Sequence, residues 1–188
     1  MIEYIGDVSR EDAALLRSIA ERSSRILEFG CGASTQIFRA YGAGSVESVE
    51  TDPAWIEKTH RNLRALGLDQ PVTVHLYQTF EPAGQYDLIF VDGIDERRQE
   101  FALLTWPALT VGGAMCFHDT RRTKPHGPSP TSDVQNVCAL IERHSPEIET
   151  VFVNRNNSNT TVVMKRAPLL YEDWMQTEDR TPAQMGIA

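Results

Sequence analysis

Arg25-Ile-Leu-Glu-Phe-Gly-Cys-Gly-Ala-Ser-Thr35 is the stretch of sequence that decides the fold. Its first five residues form a short, mostly apolar run, which is typical of a buried strand, and Gly30 and Gly32 then allow the backbone to turn sharply. Residues 33–41 continue as a helix. A buried strand, a glycine-rich turn and a helix predict the opening of a parallel α/β unit, with the turn at the carboxyl end of the strand.

The same alternation of strand and helix extends along the chain on both sides of this stretch. Further strands are predicted over 45–50, 72–76, 86–92 and 114–118, and further helices over 9–22, 55–66, 96–109 and 134–144. Gly112-Gly113 is predicted to turn the chain before the fifth strand. Such spacing predicts a doubly wound, mostly parallel sheet with helices on both faces, because parallel strands need long crossovers.

The last two predicted strands break this rhythm. They cover 150–154 and 160–166 and are separated by Arg155-Asn-Asn-Ser-Asn159, a run of turn-forming residues that predicts a closing antiparallel hairpin. We therefore assign residues 1–166 to a single domain, of which 1–24 form an N-terminal helical segment. Residues 167–188 show no clear periodicity, and we predict a partly disordered tail.

Composition narrows the class of protein. The chain has 188 residues, a net charge of -8 and 41% hydrophobic residues, which is typical of a globular protein and disfavours a large nucleic-acid partner. No apolar run approaches the roughly 20 residues that cross a bilayer, and the N-terminus lacks the order of a secretory signal. These features predict a cytoplasmic protein that does not span a membrane. The three cysteines lie far apart in the sequence, so we interpret them as free thiols.

An acidic residue strengthens the significance of the glycine-rich turn. Glu50 ends the second predicted strand, where its carboxylate can accept hydrogen bonds from both hydroxyls of a ribose. This pairing of turn and carboxylate predicts a nucleoside cofactor. The usual nicotinamide-binding pattern has a third glycine, but Thr35 stands at that position, which disfavours a pyrophosphate site.

Several motifs resemble those of class I S-adenosylmethionine-dependent methyltransferases, which have a Rossmann-like fold, over about residues 25–166. They are Glu28-Phe-Gly-Cys-Gly32, Val49-Glu-Thr-Asp-Pro53, Tyr86-Asp-Leu-Ile-Phe-Val-Asp92 and Leu109-Thr-Val-Gly-Gly113. The resemblance implies that Gly30, Cys31 and Gly32 lie beneath the methionine and ribose of the cofactor and that Glu28 helps to hold its amino group. It also implies that Glu50 binds the ribose and that Thr51 lies beside the adenine.

Two further cofactor positions are expected from the same resemblance. Gln78 and Thr79 stand where the family often has an acidic residue near the adenine amino group, so Gln78 is the expected adenine contact and the adenine site departs from the family pattern. Asp92 ends the fourth strand, at the rim where cofactor and methyl acceptor meet, and is expected to contact the cofactor as well.

The catalytic candidates are Asp92 and His118, which end the fourth and fifth predicted strands and should converge on the same rim as the turn. Structural roles are the alternatives, with Asp92 capping a turn and His118 packed against backbone. The chain is most similar to catechol-type O-methyltransferases and to small bacterial methyltransferases whose fifth strand ends in His-Asp. In the catechol-type pattern acids at these places hold Mg²⁺, which suggests Asp92 and Asp119 as metal ligands, although Thr120 replaces an asparagine. His118 acting as a general base is the metal-free alternative.

These expectations favour transfer of a methyl group from S-adenosylmethionine to a small-molecule acceptor, with oxygen preferred and nitrogen open. The basic loop Arg121–Pro130 could recognise an anionic acceptor. A non-catalytic S-adenosylmethionine-binding or interaction protein is the second hypothesis, and a nicotinamide-dependent oxidoreductase is the third. Aromatic residues of the tail and the N-terminal segment leave a homodimer open.

Overall fold

The computed structural model describes residues 4–68, 72–121, 133–145, 148–154 and 159–167. Within these residues the helices are α1 (Arg10–Ala20), α2 (Ala33–Tyr41), α3 (Pro53–Ala65), α4 (Asp95–Thr105) and α5 (Val134–His144). The strands are β1 (Arg25–Phe29), β2 (Ser45–Glu50), β3 (Thr73–Leu76), β4 (Tyr86–Val91), β5 (Leu109–Phe117), β6 (Glu149–Asn154) and β7 (Thr161–Arg166). Short 3-10 turns occupy Tyr77–Thr79 and Trp106–Ala108.

The strands form one sheet with the order β3-β2-β1-β4-β5-β7-β6. Strands β1 to β5 pair in parallel, whereas β7 runs antiparallel to both β5 and β6. The chain order reverses between β1 and β4, and in open α/β sheets ligands bind at such a switch point, beyond the carboxyl ends of the strands. The doubly wound sheet and the closing hairpin are thus as predicted.

Alternation along the strands divides the core between the two faces of the sheet. On β1, Ile26 packs with the cluster under α1, α2 and α3, whereas Leu27 packs with the cluster under α4. Burial on both faces explains why the central strands β1 and β4 are mostly apolar, since neither face is left to water there. Helices therefore cover both faces, as the alternation of elements predicted.

The prediction for the start of the fifth strand was wrong. Gly112-Gly113 does not turn the chain before a strand at 114, because β5 already begins at Leu109 and runs through both glycines. The pairing of β5 with β4 shifts register between Tyr86 and Leu88, and Gly112 has a φ of 89°. The glycines therefore form an irregularity within the strand, of the kind that bulges produce.

Ser9 and Pro107 lie at helix ends. Ser9 caps α1, since its hydroxyl accepts a hydrogen bond from the backbone N–H of Asp12 at 3.0 Å. Pro107 lies in the 3-10 turn that follows α4.

No helix in the described segments is both long and apolar enough to cross a bilayer. The predicted tail lies outside the described residues, except for residue 167.

Candidate active site

The turn after β1, residues 30–32, is hereafter the glycine turn, and Gly30 sets its shape. Gly30 has a φ of 92°, which L side chains rarely adopt. A Cβ added there would lie 2.7 Å from the carbonyl oxygen of Asp92 and 2.8 Å from the Cα of Gly93. Gly30 is therefore required both by its dihedral angle and by the close approach of the segment that follows β4. Gly32, with a φ of 172°, is extended and has no such strain.

Glu50 ends β2 beside this turn and is held by backbone N–H groups. Its Oε1 accepts hydrogen bonds from the N–H of Thr51 at 2.6 Å and of Asp52 at 3.1 Å, and its Oε2 accepts from the N–H of Cys31 at 3.3 Å. Glu50 is 7% exposed, yet it lines a cavity of about 1050 Å³. These hydrogen bonds orient the carboxylate. Oε2 has the longer of these hydrogen bonds and can accept from a further donor.

The cavity joins the glycine turn to the ends of β4 and β5. Gly30, Cys31, Gly32, Glu50, Thr51 and Asp92 all line it, as do His118 and Asp119. These predicted site residues come from β1, β2, β4 and β5, and the parallel sheet brings them together at one edge. The thiol of Cys31 lies 3.7 Å from Oε2 of Glu50, and burial raises the pKa of Cys31 to about 12, so the thiol stays protonated.

Two predicted cofactor residues do not line the cavity. Glu28 is 0% exposed, and its carboxylate accepts hydrogen bonds from the hydroxyls of Ser48 at 2.5 Å and Ser34 at 2.8 Å. Burial raises the pKa of Glu28 to about 7 despite these hydrogen bonds. Gln78 is exposed in the turn after β3 and is not among the cavity-lining residues. Their direct contacts with a cofactor stay predictions.

The second end of the cavity is the β4–β5 rim, which consists of Asp92, His118 and Asp119. Nδ1 of His118 lies 3.0 Å from Oδ1 of Asp92 and 3.7 Å from Oδ1 of Asp119. Asp119 has a φ of 59°, a left-handed conformation that is uncommon outside glycine and often marks functional sites. The rim is therefore a compact charged cluster, as the strand ends predicted, and its ligand atoms lie within 4.8 Å of one another.

The surroundings of His118 favour its protonated form, whereas the predicted role as a general base, which stays a prediction, needs the neutral form. Burial alone would lower the pKa of His118, but the neighbouring carboxylates of Asp12 and Asp92 outweigh that effect and raise the pKa to about 10. Nε2 of His118 lies 3.8 Å from Oδ2 of Asp12, so the ring is placed between two carboxylates. This raised pKa favours the imidazolium at neutral pH, a form that can stabilise negative charge and does not accept a proton.

Three residues of this network were missed by sequence reasoning. Arg98, on α4, is 4% exposed and reaches Oδ1 of Asp92 at 3.0 Å and Oδ2 of Asp119 at 3.6 Å. Asn159 donates from Nδ2 to Oδ1 of Asp119 at 2.8 Å. Asp12 lies at the start of α1, where Ser9 caps its N–H, and its carboxylate accepts from the N–H of Asn159 at 3.0 Å.

Trp55 is a further cavity-lining residue that the sequence did not single out. It lies in the first turn of α3, and its indole N–H donates to the carbonyl oxygen of Cys31 in the glycine turn. The side chain is 42% exposed, and Nζ of Lys58 lies 3.7 Å from the centre of its ring. Its position in the sequence, two residues after Pro53 and close to Glu50, is the signal that could have identified it as a candidate cofactor contact.

The sequence matches a family model described as a methyltransferase domain over residues 27–120, half of the chain. The chain belongs to this methyltransferase family. The match runs from β1 to the end of β5 and therefore spans the glycine turn, Glu50 and the β4–β5 rim. No curated protein sequence matches the chain.

Solved structures share the fold of this methyltransferase. An O-methyltransferase from Bacillus cereus in complex with SAH is 17% identical, with a TM-score of 0.66 over 85% of this chain and 82% of that chain. An O-methyltransferase of tomaymycin synthesis from Streptomyces achromogenes, in complex with SAM, is 18% identical, with a TM-score of 0.61 over 86% and 82%. A methyltransferase-like protein from Silicibacter pomeroyi is 19% identical, with a TM-score of 0.58 over 94% and 96%. The predicted family and Rossmann-like fold are confirmed.

Proposed function

We propose that this methyltransferase takes a methyl group from S-adenosylmethionine and transfers it to an oxygen of a small-molecule acceptor. The observation that carries the proposal is that one cavity is lined at one end by the glycine turn and Glu50 and at the other by the β4–β5 rim. The structural neighbours from Bacillus cereus and Streptomyces achromogenes, both O-methyltransferases with SAH or SAM bound, support the choice of cofactor and of an oxygen acceptor.

The residues of the glycine turn fit an adenosyl cofactor. Glu50 lines the cavity, where ribose hydroxyls can donate to its carboxylate, while its Oε1 is held by the N–H groups of Thr51 and Asp52. Trp55 offers an exposed aromatic face near the same turn. A carboxylate that is already oriented loses little conformational entropy on binding, which favours affinity. When bound, S-adenosylmethionine supplies the electrophilic methyl carbon.

The rim residues provide the charges that methyl transfer to a hydroxyl requires. The acceptor must lose its proton as the oxygen attacks, so a proton acceptor and a positive charge near that oxygen both help. We assign proton removal to Asp92, which lines the cavity and keeps Oδ2 outside its contacts with Arg98 and His118. The imidazolium of His118 then stabilises the negative charge that develops on the acceptor oxygen.

The prediction that the acceptor is anionic depends on a different part of the chain, the basic loop that follows β5. In the basic loop Arg121–Pro130, which predicted an anionic acceptor, residues 122–130 lie outside the described residues. Within the described lining, acidic residues such as Asp7 and Asp52 outnumber the basic Lys58 and His118. An anionic acceptor therefore stays a prediction, with its support in the sequence of that loop.

Calorimetry with S-adenosylmethionine, its demethylated product and NAD tests the cofactor assignment. We expect the first two to bind and NAD not to bind. Glu50→Ala should weaken binding by about 1 to 3 kcal/mol, because ribose hydroxyls lose a buried partner. Glu57→Ala is the control: this exposed carboxylate of α3 is not among the cavity-lining residues, and its loss should leave affinity nearly unchanged.

The same protein preparations separate the competing functions. Product formation would be followed by mass spectrometry on a panel of phenols, catechols and amines. Methylated phenol or catechol supports the proposal, whereas cofactor binding without turnover on any acceptor favours a non-catalytic binding protein. Binding of NAD alone would instead indicate an oxidoreductase. Equal affinity of the wild type and Glu50→Ala would remove Glu50 from the ribose site.

A further inference from the structure

Arg98 contacts both the side chains and the backbone of the β4–β5 rim, although the sequence did not single it out as a site residue. Its Nε donates to the carbonyl oxygen of Gly93 at 2.7 Å, and its Nη1 donates to that of His118 at 3.1 Å. Its Nη2 donates to Oδ1 of Asp92 at 3.0 Å and lies 3.6 Å from Oδ2 of Asp119. One guanidinium thus joins the backbone at the ends of β4 and β5 to both carboxylates that the sequence suggested as metal ligands.

This arrangement does not fit a divalent cation held between Asp92 and Asp119. Mg²⁺ needs oxygen ligands at about 2.0 to 2.1 Å in near-octahedral geometry. An ion bound to both carboxylates would lie close to Nη2 of Arg98, a permanent positive charge that arginine does not lose at any ordinary pH. Arg98 is 4% exposed and is also anchored by Oδ1 of Asp95 at 3.3 Å, so little space exists for it to swing away.

We propose that Arg98 takes the place between Asp92 and Asp119 that a divalent cation takes in catechol-type enzymes and holds these carboxylates in position, so that methyl transfer by this protein needs no metal. The inference rests on the proposed function for the reaction itself, but the occupation of the rim by Arg98 can be tested without turnover. Arg98 is a positioning residue: it acts through Asp92, Asp119 and two backbone carbonyls, and its burial keeps it from the acceptor. The positive charge is therefore built into α4 instead of being taken from solution.

Binding of Mn²⁺ tests the proposal directly, because the paramagnetic resonance signal of free Mn²⁺ falls when the ion binds protein. Chelator-treated wild type is expected to leave that signal unchanged. Arg98→Met removes the cation while keeping an apolar stem, and we expect it to bind Mn²⁺ at least about tenfold more tightly, because Asp92 and Asp119 lose their fixed counter-charge. Adding Asp119→Asn to this variant should abolish the gain.

Arg97→Met is the matched control on the same helix. Arg97 is exposed and pairs only with Glu100 among the described ion pairs, so its loss should change neither Mn²⁺ binding nor cofactor binding. Arg98→Lys keeps the charge without the planar fork and should still exclude Mn²⁺. This variant tests the proposal even if Arg98→Met fails to fold. Binding of Mn²⁺ by Arg98→Lys would contradict the proposal that a positive charge at this position excludes the ion.

Two further outcomes would overturn the inference. The first is stoichiometric Mn²⁺ binding by the wild type that Asp119→Asn abolishes. The second is a folded Arg98→Met variant with no gain in Mn²⁺ affinity. Cofactor calorimetry on the same chelated samples distinguishes failure of the wider function: loss of S-adenosylmethionine binding would reject the methyltransferase proposal, whereas the Mn²⁺ result concerns the rim alone. Full methylation in excess chelator would support metal independence.

Discussion

The glycine turn and the β4–β5 rim line the same cavity, but they are held by different kinds of contacts. In the glycine turn, backbone conformation and backbone N–H groups fix both Gly30 and the carboxylate of Glu50. At the rim, charged side chains from distant elements fix one another, as Arg98 and Asp12 do around His118. The first region depends on shape and the second on charge, so their responses to substitution and to pH should differ.

The largest expected effect comes from placing a side chain in the glycine turn. Gly30→Ala should lower the free energy of unfolding by at least about 5 kcal/mol, because the added Cβ combines an unfavourable φ with contact against fixed backbone. Gly112→Ala is the matched control, with a φ of 89° but no atom within 4 Å of the added Cβ, and should cost about 1 to 2 kcal/mol. Urea denaturation measures both. Equal losses would mean that the close approach to Asp92 contributes nothing.

The rim should respond to pH through His118. A pKa raised to about 10 in the folded state means that the stabilisation is complete below the unfolded pKa of about 6.5 and is lost as pH rises towards 10. The free energy of unfolding should therefore fall by up to about 1.4 kcal/mol per pH unit across that window, and His118→Gln should lack this component. Denaturation at several pH values checks it. If His118→Gln shows the same pH dependence of the free energy of unfolding as the wild type, the group with the raised pKa is not His118.

Glu28, behind the glycine turn, should give a smaller effect over a lower pH range. Its folded pKa of about 7 exceeds its usual value of 4.5 because the carboxyl is buried. The contribution of Glu28 to the free energy of unfolding is therefore greatest below pH 4.5 and is lost as pH rises through 7. Relative to the wild type, Glu28→Gln should become more stable by about 1 to 3 kcal/mol on passing through this window. Parallel stability curves for the two proteins would contradict the raised pKa.

The same contrast explains what the sequence could and could not reveal. Gly30 and Glu50 act through their own strand ends, so a local motif and the order of strands were enough to predict them. Arg98 follows another arginine within Glu96-Arg-Arg-Gln-Glu100, a run that has the composition of a solvated helix face. Its burial follows from how α4 packs against the ends of β4 and β5, which no local pattern specifies.

Long-range partners limited the other predictions in the same way. The local contact between Ser9 and Asp12 is of a kind that sequence can reveal, but the contacts of Asp12 with Asn159 and Thr160 depend on the position of the final hairpin. The general-base role for His118 assumed an ordinary pKa. Two carboxylates from different parts of the chain reverse that assumption, and their proximity became evident only in the folded structure.

The bonds from Asp12 to Asn159 and Thr160 impose an order on how the protein can be made. While the ribosome is still adding the middle of the chain, the strands that flank the glycine turn already exist, but the carboxylate of Asp12 lacks the two donors that later surround it. The surroundings of His118 are therefore complete only once the final hairpin has formed, because Asp12, which lies 3.8 Å from Nε2 of His118, takes its two donors from the residues just before β7.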